Sequence, residues 1–166
     1  MKTAIEKAFI RFGRRGELLL QDDFFGLRPR AYHHRVSQID GACSMIFDII
    51  ELSSGKTAGE IALRIGEGES LYYLGHIGYH IDPPYRGQHG ALRACRMCVP
   101  VLEEMGMRSF VITTDEDNWP SIRTCESLGC MLESTVDVPA WCRVEFQISS
   151  RKRRYIYEIS KAELQK

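Results

Sequence analysis

The spacing of apolar residues changes period several times along the chain, and each change marks an element. Residues 17–21 (ELLLQ) predict a first short strand, residues 22–30, with Gly26 and Pro29, a loop, and the loosely alternating residues 31–39 a strand or a short helix. An apolar run at 45–52, a turn at Ser53-Ser54-Gly55-Lys56 and a returning run at 57–65 predict a β-hairpin over 43–66. Residues 71–82 predict a further strand, stopped by Pro83-Pro84, which cannot donate to a ladder.

The period then becomes helical. Ala91, Leu92, Cys95, Val99 and Leu102 recur at the spacing of an amphipathic helix over 88–105. Pro100 is expected to kink it or split its hydrogen bonding, and Gly106 to cap it. Residues 108–114 predict a short strand, so strand, helix and strand imply a parallel pair with a right-handed crossover. Asn118 reads as an N-cap, with Pro120 in the first turn of a helix that runs to Leu128 before Gly129. Two more strands, 131–138 and 154–159, are joined by a segment containing Pro139 and Trp141. The basic run Arg151-Lys152-Arg153-Arg154 leads into the last strand and reads as a solvated edge guarded by charge, or as a contact for phosphate or an acidic partner. Together these predict one α/β domain over residues 1–166.

Composition narrows the function classes. The chain is long enough, at 166 residues, to bury a core unaided. Its 22 basic and 22 acidic residues leave no global attraction to nucleic acid or membrane. It has no run of ~18 apolar residues, and the leading MKTAIEKAFIRFGRRG lacks the apolar core of a secretory signal, so a cytoplasmic location is expected. Among six cysteines, Cys95 and Cys98 make a CxxC. They fall on one face of a predicted helix without a second pair, so buried thiols and no metal site are expected. The adjacent His33 and His34 likewise lack companions at ligand spacing.

The chemistry concentrates between Ile77 and Cys130. A strand, the turn Arg86-Gly87-Gln88-His89-Gly90-Ala91 and a helix N-terminus gather backbone N–H groups suited to an anionic phosphate. Arg86 adds a charge-assisted contact, while Gly87 and Gly90 admit a close backbone approach.

Over about residues 57–138 the chain resembles the GNAT superfamily of acyl-CoA-dependent N-acyltransferases. Ile81-Asp82-Pro83-Pro84-Tyr85-Arg86-Gly87 matches the family's strand end, and Arg86 and Ala91 match the ends of its turn motif. His89 stands where the first motif glycine is usual, and Gly90 falls one position late. Asn118-x-x-Ser121-x-Arg123-x-x-Glu126-x-x-Gly129 is similar to the helix flanking the cofactor's other side, most closely in the branch acting on protein N-termini, aminoglycosides and other amines.

The resemblance implies the GNAT fold, a mixed sheet with a splayed parallel strand pair flanked by helices, and acetyl-CoA as co-substrate. It places pyrophosphate on Arg86, Gly87, Gln88, His89, Gly90 and Ala91, and the pantetheine arm along the main chain of Tyr79 and Ile81. Asn118, also an ordinary N-cap, and Ser121 would face that arm. The implied reaction is direct acetyl transfer to a primary amine of a small molecule or a protein. The family often places a tyrosine acid seven residues after the asparagine; here Cys125 stands there, a candidate proton donor and equally a small packing residue. Candidate bases are His76, His80 and Glu60. Strand alternation sets His76 and His80 on the face opposite Tyr79 and Ile81, unless a bulge near Gly75 or Gly78 resets the register. Trp141 can line the acceptor side or simply pack. A non-catalytic acyl-CoA sensor on the same fold is the alternative, and a homodimer through an exposed C-terminal edge strand is a further expectation.

Overall fold

The computed structural model describes residues 1–159; residues 160–166 of the predicted domain lie outside them. Strands β1 (Leu20–Gln21), β2 (Phe25–Val36), β3 (Ala42–Glu51), β4 (Thr57–Ile65) and β5 (Ile77–Ile81) form one sheet in that order. Strands β6 (Ser109–Thr114), β7 (Met131–Asp137) and β8 (Arg151–Glu158) form a second, ordered β6-β8-β7. Every ladder in both is antiparallel among the described residues. β5 and β6 share no ladder: they meet only at a Gly75–Ile112 bridge and at His76, and part beyond it. The expected parallel pair thus forms no ladder among the described residues, and the splay between β5 and β6 divides the sheet in two.

Helices α1 (Ala4–Arg15), α2 (Glu69–Leu74), α3 (Gly90–Glu104), α4 (Trp119–Leu128) and α5 (Ala140–Phe146) complete the fold. Period-2 alternation turns Met45, Phe47 and Ile49 of β3 and Ile61 and Leu63 of β4 onto one buried face. Against them α3 sets Ala94, Cys95, Cys98, Val101 and Leu102, all buried. All six cysteines are free, buried thiols.

Several elements differ from their sequence-based expectation. α1 was not anticipated; Thr3 and Glu6 form a reciprocal capping box, Gly16 closes the helix in the left-handed conformation, and Phe9 packs edge-on against Phe47 at 4.9 Å. The expected loop at 22–30 is strand from Phe25 onward, and Pro29 is accommodated at a register shift between β2 and β3. The expected strand at 71–82 is two elements, because Gly75, at φ +76°, breaks the chain between α2 and β5. Pro100 does not end α3; it sits on the exposed side, where the missing N–H leaves the Arg96 carbonyl to solvent. Gly106 and Met107 donate to Glu103 and Leu102, a Schellman closure. The segment around Pro139 and Trp141 is α5 rather than loop.

The basic run is not an edge. Its four residues open β8, the central strand of the second sheet. Arg154 is buried there, with its guanidinium 3.7 Å from the Tyr72 ring centroid and paired to Glu133. The C-terminal edge strand is β7, on which Met131 and Leu132 are exposed.

Candidate active site

Three adjoining cavities follow the gap between β5 and the β6–α4 unit. The first, about 420 Å³, is lined by Arg86, Gly87, His89, Gly90, Ala91 and Leu92 on one side and by Pro120, Arg123, Thr124, Glu126 and Ser127 on the other. The second, about 260 Å³, shares Ile81, Arg86, Ala91, Pro120 and Thr124 with it. The third, about 230 Å³, shares Tyr79, Asn118 and Ser121 with the second and continues past Arg64, Tyr73, Asp115 and Lys152. Shared walls make them one groove.

Its first end is the turn that leads from Arg86 into α3. His89 takes the left-handed backbone (φ +59°, ψ 31°) that a glycine would supply, so it caps α3 without closing the turn. Gly87, at φ +87°, has open space where a Cβ would stand. Gly90 acts differently from expectation: a Cβ there would meet Ile81 at 3.3 Å and Phe25 at 3.5 Å, so it serves helix–strand packing. The first-turn N–H groups of α3 have no intrahelical partner four residues back and lie at this wall. Gln88 does not line it and reaches Glu51 instead.

Along the groove, β5 offers its free edge. Asp82 N–H donates to Ala58 and Arg64 N–H to His76 O, which puts even-numbered residues on the bonded side. By alternation the main-chain groups of Tyr79 and Ile81 face the gap; Ile81 O accepts there from Arg86 Nε at 3.0 Å. Asn118 both caps α4, accepting from Ser121 N–H at 3.3 Å, and lines the groove.

At the junction of the second and third cavities stands a group that sequence reasoning assigned only through its main chain. The Tyr79 side chain crosses the gap, and its hydroxyl shares a 2.7 Å hydrogen bond with Ser121 Oγ at the start of α4. Burial, and then the neighbouring Cys125 and Cys95 thiols, push this phenol well above its ordinary pKa, so it stays protonated. The position expected to hold the acid, Cys125, is fully buried; its hydrogen bond to Cys130, followed by desolvation, drives its pKa far up. It is a packing thiol.

The candidate bases do not converge here. Glu60 is ion-paired with Arg30 on the outer face. His80 lines the second cavity and lies 3.3 Å from Asp82. His76 is buried with both ring nitrogens engaged: Nδ1 accepts from Val111 N–H at 2.9 Å, and Nε2 lies 3.3 Å from Gly66 O. With its own N–H donating to Val111 O at 2.7 Å, it pins the closed end of the splay. Trp119 and Trp141 are exposed, outside the groove.

The pinned histidine carries a pH prediction. Burial holds the His76 imidazole below its ordinary value, and protonation would oppose its acceptor role toward Val111. The unfolded chain therefore takes the proton first. The stabilisation is complete above about pH 6.5 and is lost as pH falls from there toward the lowered native value. Urea midpoints measured at pH 7.0 and 5.5 should fall more for the wild type than for His76→Gln; parallel shifts would remove His76 from the account.

The comparisons with known proteins agree with this geometry. A family model described as an acetyltransferase (GNAT) domain matches residues 27–131. An acetyltransferase of the GNAT family from Bacillus anthracis superposes with a TM-score of 0.55 at 21% identity, over 69% of this chain and 66% of that one. The microcin C7 self-immunity acetyltransferase, solved with acetyl-CoA and AMP, gives 0.54 at 21%, over 69% and 61%. The Salmonella typhimurium acetyl transferase that modifies the N-terminal serine of a 50S ribosomal subunit protein gives 0.53 at 19%, over 69% and 63%. These are likenesses of fold, and the chain spans just under two thirds of each of these relatives. No curated protein matches the sequence.

Proposed function

The chain belongs to the acetyltransferase (GNAT) family, and from that premise we propose that it moves an acetyl group from acetyl-CoA directly to a primary amine. The observation that carries this reading is the continuous groove, with a phosphate turn at one end, a free strand edge along it and a protonated phenol at the far junction. In this reading Gly87, His89, Ala91 and the α3 terminus hold the pyrophosphate, helped by Arg86 and Arg123. The main chain of Tyr79 and Ile81 pairs with the pantetheine amides as an added strand would.

The reacting carbon then lies beside Tyr79, Ser121 and Asn118, with the acceptor entering from the third cavity. The neutral amine nitrogen bonds to the carbonyl carbon, the carbon–sulfur bond breaks, and the nitrogen sheds its extra proton to water in the third cavity. The Tyr79 hydroxyl donates to the departing sulfur, and Ser121 relays a proton back from solvent. Fixing both reactants in one groove supplies much of the rate.

Calorimetric titration with acetyl-CoA tests the reading. We expect micromolar affinity for the wild type and at least a tenfold weaker value for Gly87→Val, because a β-branched residue is strained at φ +87°. No binding at millimolar acetyl-CoA would overturn it. Binding without coenzyme A release on any amine class would favour the non-catalytic sensor.

A further inference from the structure

We propose that the third cavity contains an anion subsite built on Arg64, and that the acceptor is therefore an amine carrying a carboxylate. This rests on the acetyltransferase reading above and specifies its acceptor. Arg64 lies on β4, with its guanidinium flat against the backbone of Gly78: a Cβ built on Gly78 would stand 2.8 Å from Arg64 Nη2. A side chain at 78 would push the guanidinium from this position. Nη1 donates to the Leu74 and Gly75 carbonyls at 3.3 and 3.2 Å, which fixes the fork in place. No carboxylate lies within ion-pair distance of Arg64 among the described residues, although burial is deep enough to lower its pKa. A largely buried guanidinium without a counter-ion is an unusual arrangement, and a bound anion completes it.

The rest of the cavity supports the same sign. Its other charged groups, Lys152 and Asp115, are joined to each other at 2.7 Å and cancel, leaving the Arg64 charge as the net charge of the lining. Asp115 is further held by Ser149 Oγ at 2.6 Å, so its carboxylate is not free to turn toward Arg64. The volume of about 230 Å³ lies below the range of drug-sized sites and suits an amino acid or the first residue of a peptide. Arg64 and Gly78 line the same cavity as Tyr79, Asn118 and Ser121, so a carboxylate at the guanidinium and an amine at the junction share one space.

Rates of coenzyme A release from acetyl-CoA would be compared for matched acceptors: glycine with glycinamide, β-alanine with its amide, and peptides beginning Glu or Asp with peptides beginning Gln or Asn. The peptide arm tells a side-chain carboxylate from that of a free amino acid. The expected result is a tenfold or greater kcat/KM preference for one carboxylate series. Arg64→Met should abolish it and Arg64→Lys should retain part of it, both with acetyl-CoA affinity unchanged. A wild type that turns over amides as well as acids, or a preference that survives Arg64→Met, overturns the subsite and leaves the transferase reading standing. Acetyl-CoA binding with no turnover of any carboxylated amine also overturns it. Failure to bind acetyl-CoA overturns the transferase reading itself.

Discussion

Replacing Tyr79 by phenylalanine is expected to lower kcat for coenzyme A release about a hundredfold, with little change in acetyl-CoA affinity. The figure is the low end of what a positioned proton donor contributes, about 10²–10⁴. The low end is chosen because burial raises the phenol's pKa and so weakens it as an acid. Its ring still fills the same space between the core and α4, so the cost to stability should be no more than the hydrogen bond to Ser121, about 0.5–1.5 kcal/mol. Cys125→Ala is the contrasting variant. That thiol is free and buried beside Cys130, away from solvent, so its removal should leave kcat within a few fold while costing about 1 kcal/mol of packing. Steady-state kinetics on both variants, with unfolding curves alongside, checks the assignment. A large kcat loss in Cys125→Ala with none in Tyr79→Phe would restore the thiol as donor.

The contrast between Tyr79 in the groove and Cys125 in the core shows where sequence reading succeeds and stops. The stretch from β5 to α4 was legible because its signals are local: Pro83-Pro84 end a strand, Asn118 caps a helix with its own side chain, and Gly106 and Gly129 close helices in the left-handed region. The turn before α3 was legible for the same reason, although the left-handed conformation falls on His89 and Gly90 serves packing. Alternation along β5 correctly put Tyr79 on the face opposite His76 and His80. The hydroxyl's partner lies 42 residues further on, and no periodicity reports that. His76 looked like a base because imidazole titrates near neutrality, yet its ring is consumed by backbone groups on β6 and at Gly66. The central position of β8 was equally hidden, since strand order is a tertiary property. In α2, the run Leu71-Tyr72-Tyr73-Leu74 has strand-forming composition, but Asp40 Oδ2 accepting from Ser70 N–H and the break at Gly75 fix a helix. Only α1 was readable and missed, for its capping box and terminal glycine are both written in the sequence.

The strand pairing that positions Tyr79 should fail under a single methyl group. In Gly59→Ala, the new Cβ would lie 2.0 Å from the His80 carbonyl oxygen and 3.0 Å from Ile81 Cα. These are backbone atoms of β5, so no side chain can swing aside to relieve the overlap. Gly59 pairs with Ile81 in the ladder, and the next bond, Asp82 N–H to Ala58 O at 2.8 Å, holds the strands together at that end. β5 must then move off β4, which costs ladder bonds and strain together; a loss of about 3–4 kcal/mol is expected, near the upper range of single substitutions. The displaced segment is the groove's own wall, so acetyl-CoA affinity of the folded fraction should fall at least tenfold. Gly55→Ala provides the scale: it sits in a turn at φ +71° with nothing within 4 Å, and should cost only the left-handed penalty of about 1–2 kcal/mol without affecting binding. Urea midpoints at constant m-value, with calorimetry on each variant, separate the two. If Gly59→Ala proved as mild as Gly55→Ala, β5 would be free to shift against β4, and the fixed approach of Tyr79 to Ser121 would no longer follow from the pairing.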